Sequence, residues 1–111
     1  MKISIIGTGY VGLITGLCLA ETGHKVICID NDQSKIERVN NGECIIHEEG
    51  LKNLLDKNLG KNFKATTDLE TAVINTDVSI IAVGTPFSNG AIDLSFIESV
   101  SKDIGKVLSK K

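Results

Sequence analysis

Arginine is nearly missing from this sequence: Arg38 is the only one among twelve basic residues, which stand against fourteen acidic ones for a net charge of −2. No positive field forms that would hold a nucleic-acid backbone. Long apolar runs are missing too, since Lys25, Asp30 and Asp77 flank runs of only four to six residues. A membrane span needs ~20. The opening Met1-Lys2-Ile3 reaches Gly7 too soon to supply the apolar region of a secretory leader, so a cytoplasmic location is expected. Tryptophan is absent and proline occurs once. Cys18, Cys28 and Cys44 are odd in number, show no C-x-x-C spacing, and two of them lie in apolar stretches. They are expected to be reduced, packed thiols and not metal ligands or nucleophiles.

The 111 residues carry 41% hydrophobic and 23% charged residues without repeats or low-complexity segments. A chain of this size buries roughly 60 to 70% of its unfolded surface, enough for one modest core and too little for two domains. Ile3 to Ile6, Val26 to Ile29 and Val78 to Val83 are short apolar runs, each followed by Gly, Asp or Asn or close to one. Such runs suit strands buried on both faces of a parallel sheet. Between the first two, Tyr10 to Thr22 is too long for a strand and ends at Gly23, where a helix C-cap belongs. Short helices are expected over Gln33 to Val39 and Glu49 to Asn58, with a strand from Phe63 to Thr66. Thr67-Asp68-Leu69-Glu70 reads as a capping box with Thr67 as N-cap, and a last helix is expected to start from Asp93. Strands alternating with helices predict an α/β fold, a Rossmann-type doubly wound parallel sheet of strand order 3-2-1-4. The chain stops after a helix where another parallel strand is due, so the sheet is expected to be incomplete and the chain to be the first part of a longer one.

Gly7-Thr8-Gly9-Tyr10-Val11-Gly12 places G-x-G-x-x-G directly between the first strand and the first helix. Gly7 permits the tight turn, Gly9 lets a pyrophosphate approach the backbone, and Gly12 lets the helix lie close on the strand. Free N–H groups and the positive end of the helix dipole would face the anion. Asp30 ends the second strand eighteen residues after Gly12, where a dinucleotide fold uses a carboxylate to accept the adenosine ribose hydroxyls. A 2′-phosphate would meet that charge, and Asn31 offers no cation beside it, so NAD and not NADP is the expected cofactor. The competing role for Asp30 is helix capping, which Asn31, Asp32 or Ser34 would serve as well. Lys35 either folds back over the adenosine or stays solvated. His24 and His47 have no partner pattern and are assigned no ligand role.

These residues resemble the N-terminus of the UDP-glucose/GDP-mannose 6-dehydrogenases. The resemblance runs through Ile5 to Leu13, Gly16 to Glu21, Gly23-His24, and Asp30 with Lys35-Ile36. Asn41-Gly42-Glu43 through Glu48, Gly50 and Leu51 is similar to the family's G-E-x-P-I-Y-E-P-G-L, departing at Ile45, His47 and Glu49. Ala65 to Asp68 resembles its A-T-T-D, and Ala82 to Pro86 with Gly90 and Asp93-Leu94-Ser95 resembles its A-V-G-T-P and D-G-x-x-D-L-S. All of 1–111 is then an NAD-binding Rossmann domain without the central helix and substrate domain.

The resemblance implies that Gly7, Gly9, Tyr10, Val11 and Gly12 hold the NAD pyrophosphate, that Asp30 and Lys35 hold the ribose, and that Thr85 lies beside the cofactor. It also implies oxidation of a nucleotide sugar such as UDP-glucose to the uronic acid with two NADH, through a thioester on a cysteine in G-G-S-C-F-P-K-D. That motif is absent here, so no catalytic residue, no metal and no nucleic-acid or membrane partner is expected. The sugar substrate is expected only in a full-length enzyme, and self-association into a homo-oligomer is expected through an open sheet edge or through the last helix. A stand-alone NAD-sensing module and another hydroxyl-group dehydrogenase are the competing functions.

Overall fold

β-Branched and aliphatic residues dominate the strands, and pairing in parallel hides both of their faces. In a computed structural model, which describes residues 1–83, 87, 88, 91, 92 and 94–110, β1 (Lys2–Ile6), β2 (Lys25–Ile29), β3 (Phe63–Thr66) and β4 (Val78–Ile81) form one parallel sheet. Its order is β3-β2-β1-β4, as the alternating pattern requires. Ile6 lies opposite Ile29 on one side and Ile81 on the other, which brings the ends of three strands level. The fourth strand ends at Ile81, two residues short of the apolar run that predicted it. Ser4 interrupts the apolar residues of β1 yet is fully buried, because its hydroxyl bonds Ser79 Oγ at 2.6 Å and accepts from Thr76 Oγ1 at 3.0 Å.

α1 (Tyr10–Glu21), α2 (Gln33–Asn40) and α3 (Leu51–Asn58) contribute Leu13, Leu17, Ile36, Val39, Leu51 and Leu55 to one core with Ile3, Ile5, Val26 and Phe63. α4 (Leu69–Ile74) and α5 (Ser95–Leu108) cover the other face, where Leu69, Ala72, Val100 and Ile104 meet Ile6 and Ile29. The sheet is thus covered on both sides, as a doubly wound fold requires. α1 closes in a Schellman motif: Gly23, at φ +104°, donates to Ala20 O, and His24 donates to Leu19 O. A Cβ on Gly16 would lie 2.9 Å from Cys28 Sγ and 3.2 Å from Phe63 Cε2, so this glycine sets how close α1 approaches the sheet.

One cap differs from the sequence reading. α4 is capped by Asp68, which accepts from the Thr71 N–H at 3.1 Å, and not by Thr67; the helix begins one residue later than expected, which puts Asp68 at the N-cap, within reach of the third N–H of the helix. α5 begins at Ser95 after Leu94, which supplies no side-chain cap, and Asp93 lies outside the described residues. β5 (Phe87–Ser88) and β6 (Ala91–Ile92) form a short antiparallel pair that the pattern analysis did not anticipate. No described helix is long and apolar enough to cross a membrane. Cys18, Cys28 and Cys44 are all free thiols, and burial pushes that of Cys28 up to about 12.

Candidate functional site

Where β1 ends, the chain turns at Gly7, whose φ of +119° is one that a side chain strongly disfavours. A Cβ there would also lie 2.5 Å from Ala82 O, and its N–H donates to Ile29 O at 2.6 Å. Gly7 is therefore demanded by the fold itself. Gly12 is as well, since a Cβ on it would collide with Gly7 O. Its contact is with the turn more than with the strand, a correction to the expected close approach of helix and strand, which Gly16 provides instead.

Gly9 behaves differently. It is the N-cap of α1 in ordinary extended backbone, with φ −74°, and a Cβ on it would meet nothing within 4 Å among the described residues. Neither packing nor conformation calls for glycine there. No side chain caps α1 and no acidic residue sits in its first turn, so the N–H groups of that turn and the positive dipole end are presented to whatever lies over Gly9. Tyr10 and Val11 are 58% and 65% exposed at this spot, apolar surface that the core does not use. The Tyr10 hydroxyl reaches Glu48 Oε2 at 3.3 Å, which brings the loop before α3 to the rim.

Asp30 follows β2 directly and stands across the turn from Gly9. Its Oδ2 accepts from the Thr8 hydroxyl at 2.7 Å and the Thr8 N–H at 3.2 Å, while Oδ1 accepts from the Asp32 N–H at 3.0 Å. Burial pushes this carboxyl up, but the Thr8 and Asp32 hydrogen bonds and the charge of Lys35 outweigh it, and the net shift is downward. Asp30 is thus held as an anion. The cap of α2 is Asp32, whose Oδ1 accepts from the Ser34 and Lys35 N–H groups, so capping is not the task of Asp30. Lys35 is half-buried, with its charge felt at Asp30.

The structure therefore brings together Gly7, Gly9, Tyr10, Val11, Gly12, Asp30 and Lys35, and Thr85 lies outside the described residues. Sequence reasoning missed Thr8 as a partner of Asp30. Only the register of the folded sheet, which pairs Ile6 with Ile29, sets the residues after each strand side by side. A groove of about 680 Å³ lies elsewhere: Lys2, Lys25, Lys61 and Lys64 line it toward the amino ends of β1 and β2, and none of the site residues contributes to it. No cluster of three or more His, Cys, Asp or Glu suited to a metal occurs among the described residues.

Comparison with known proteins agrees with this geometry. The model of the UDP-glucose/GDP-mannose dehydrogenase family, NAD binding domain, matches residues 1–111. The UDP-glucose 6-dehydrogenase TuaD of Bacillus subtilis is 46% identical over 110 residues, 97% of this chain and 24% of that protein. A GDP-mannose 6-dehydrogenase of Pseudomonas aeruginosa is 44% identical over 114 residues, 100% of this chain and 26% of that one. A ternary complex of GDP-mannose dehydrogenase from Pseudomonas aeruginosa superposes with a TM-score of 0.96 at 42% identity, covering 100% of this chain and 26% of the other. A UDP-glucose dehydrogenase from Pyrobaculum islandicum gives 0.90 at 34% identity, over 96% and 25%. The chain spans about a quarter of the length of these relatives. With a family match over its whole length, a strand order of 3-2-1-4 and a glycine turn facing an ionised aspartate, this chain belongs to the UDP-glucose/GDP-mannose dehydrogenase family and corresponds to its NAD binding domain.

Proposed function

We propose that this chain holds NAD with its pyrophosphate over Gly9 at the first turn of α1 and its adenosine ribose at Asp30, as the cofactor-binding part of a cytoplasmic nucleotide-sugar 6-dehydrogenase. The bare backbone at Gly9 carries the reading, since a glycine that neither its own conformation nor any described neighbour needs is accounted for by a ligand that must touch the backbone. Tyr10, Val11 and Gly12 offer backbone to the same anion, and Lys35 closes the adenosine side. When bound, NAD supplies the hydride acceptor; the residues of this chain bind and orient it. Hydride transfer also needs a sugar fixed against the nicotinamide, and no residue here is assigned to that or to a nucleophilic cysteine. The substrate, UDP-glucose, GDP-mannose or a related nucleotide sugar, therefore belongs to the longer protein that carries the remaining three quarters of its relatives' length.

Calorimetry on the purified chain tests this. NAD should bind, NADP should bind much more weakly, and Asp30→Ala should cost about 1.5–3 kcal/mol of NAD affinity, the range for hydrogen bonds to a charged group. Gly9→Val should abolish binding while leaving thermal unfolding little changed, because its Cβ meets no atom of the described residues. Equal affinity for the two cofactors, or full NAD affinity in Gly9→Val, overturns the assignment.

A further inference from the structure

Asp30 has four in-plane lone pairs on its two oxygens, and three already have donors. Oδ2 takes both the hydroxyl and the N–H of Thr8, and Oδ1 takes the Asp32 N–H. The Thr8 hydroxyl is the shortest of the three at 2.7 Å and comes from a side chain only 1% exposed. Its burial fixes it: the donor cannot swing to water, so the carboxylate it holds cannot rotate freely either. We infer that Thr8 is the positioning residue of the ribose site, fixing the Asp30 carboxylate in one orientation with its remaining lone pair open to a ribose hydroxyl. The inference rests on the reading of Asp30 as the ribose acceptor.

The physical case is a competition between burial and hydrogen bonding. A half-buried carboxylate favours its neutral form unless donors compensate, and a neutral carboxyl loses the acceptor capacity that a ribose hydroxyl needs at the one lone pair left free. The uncharged neighbours of Asp30 are Thr8 from the β1–α1 turn and Thr66 of β3, whose carbonyl accepts the Asp30 N–H at 3.2 Å. Its charged neighbours are Lys35 on α2, which favours the anion, and Asp32 in the same turn, whose own carboxylate is engaged with the start of α2. Removing the Thr8 hydroxyl leaves the Thr8 and Asp32 N–H groups and Lys35 to oppose burial alone. The downward shift of Asp30 is then reduced, and the orientation is held by backbone donors only.

Thr8→Val preserves the shape and deletes the hydroxyl, and Thr8→Ser restores it. Two readouts are taken. In the chain without cofactor, carbon-detected NMR follows the Asp30 carboxyl: its midpoint should lie below the ordinary aspartate range in the parent, rise in Thr8→Val and return in Thr8→Ser. By calorimetry, NAD affinity should fall roughly tenfold in Thr8→Val near neutral pH, with further loss beginning at higher pH than in the parent, and recover in Thr8→Ser. An unchanged Asp30 midpoint in a folded Thr8→Val overturns the inference, as does an ordinary or raised midpoint in the parent, which needs no variant. Failure of the parent to bind NAD while the NMR shifts appear would instead remove the ribose reading and leave the hold of Thr8 on Asp30 standing.

Discussion

The Tyr10 hydroxyl donates to Glu48 Oε2 over 3.3 Å, joining the first residue of α1 to a loop thirty-eight positions further along. Ionising the phenol would set a second negative charge against the carboxylate. The charge of Glu48, and then its hydrogen bond, therefore hold the Tyr10 phenol above its ordinary value. The loop owes its position to apolar anchors just before that contact, since Ile45 and Ile46 pack against the main core and Cys44 Sγ lies 3.0 Å from Ile46 O. Proline and an aromatic residue at positions 45 and 47 are not needed to bring the loop to the rim.

Glu48→Gln should move the Tyr10 titration downward, toward that of a free phenol. Tyr10 is the only tyrosine and tryptophan is absent, so the ultraviolet absorbance of phenolate reports this one group. High salt should shift the parent in the same direction, because both side chains are exposed and their charges are screened. A titration indifferent to both changes would mean that the pair does not form in solution.

Strands and their order were legible because runs such as Val26-Ile27-Cys28-Ile29 have no polar face, and only a sheet covered on both sides accommodates them. The glycine turn was legible in outline, but the separate tasks of its glycines were not: Gly7 answers to Ala82 far along the chain, Gly12 to the Gly7 carbonyl and Gly9 to no described atom, and these relations exist only once the chain is folded. The Thr8 hydroxyl was opaque for the same reason, since its partner lies twenty-two residues away. At the start of α4, Thr67 and Asp68 both carry capping side chains, and only backbone geometry decides between them. The β5–β6 pair left a cue in Asn89-Gly90, a hairpin dipeptide between the two strands that the periodicity reading passed over.

Gly16→Ala should destabilise the chain. The added methyl would stand 2.9 Å from Cys28 Sγ and 3.2 Å from both Ile5 Cδ1 and Phe63 Cε2, all in the buried core. Overpacking of this kind costs about 1–3 kcal/mol, and the better helix propensity of alanine returns about 1. A net loss of about 1 kcal/mol is expected in urea unfolding. Cys28→Ala in the same chain makes room for the methyl, so the double variant should lose less than the sum of the two single ones. Strict additivity would show that the helix moves away from the sheet instead.

Self-association is expected at the β4 side of the sheet. Among the described residues β4 pairs only with β1, so one row of its backbone donors and acceptors faces outward, and Val78 and Ile81 are both exposed. Leu94, Phe96 and Leu108 expose further apolar surface at the start and end of α5, the helix packed beside α4 on the same face. An uncovered edge flanked by apolar side chains favours pairing with another chain, and a lysine on the edge opposes it by keeping a charge where the second strand would lie. Sedimentation of the parent should therefore show an average mass that rises with concentration. Ile81→Lys, at a position already exposed, should shift the distribution toward monomer without lowering the unfolding temperature by more than a few degrees. If Ile81→Lys associates as the parent does but Phe96→Glu does not, the contact runs through α5 and the edge is not used. A parent that stays monomeric across the whole concentration range would overturn the expectation for both surfaces.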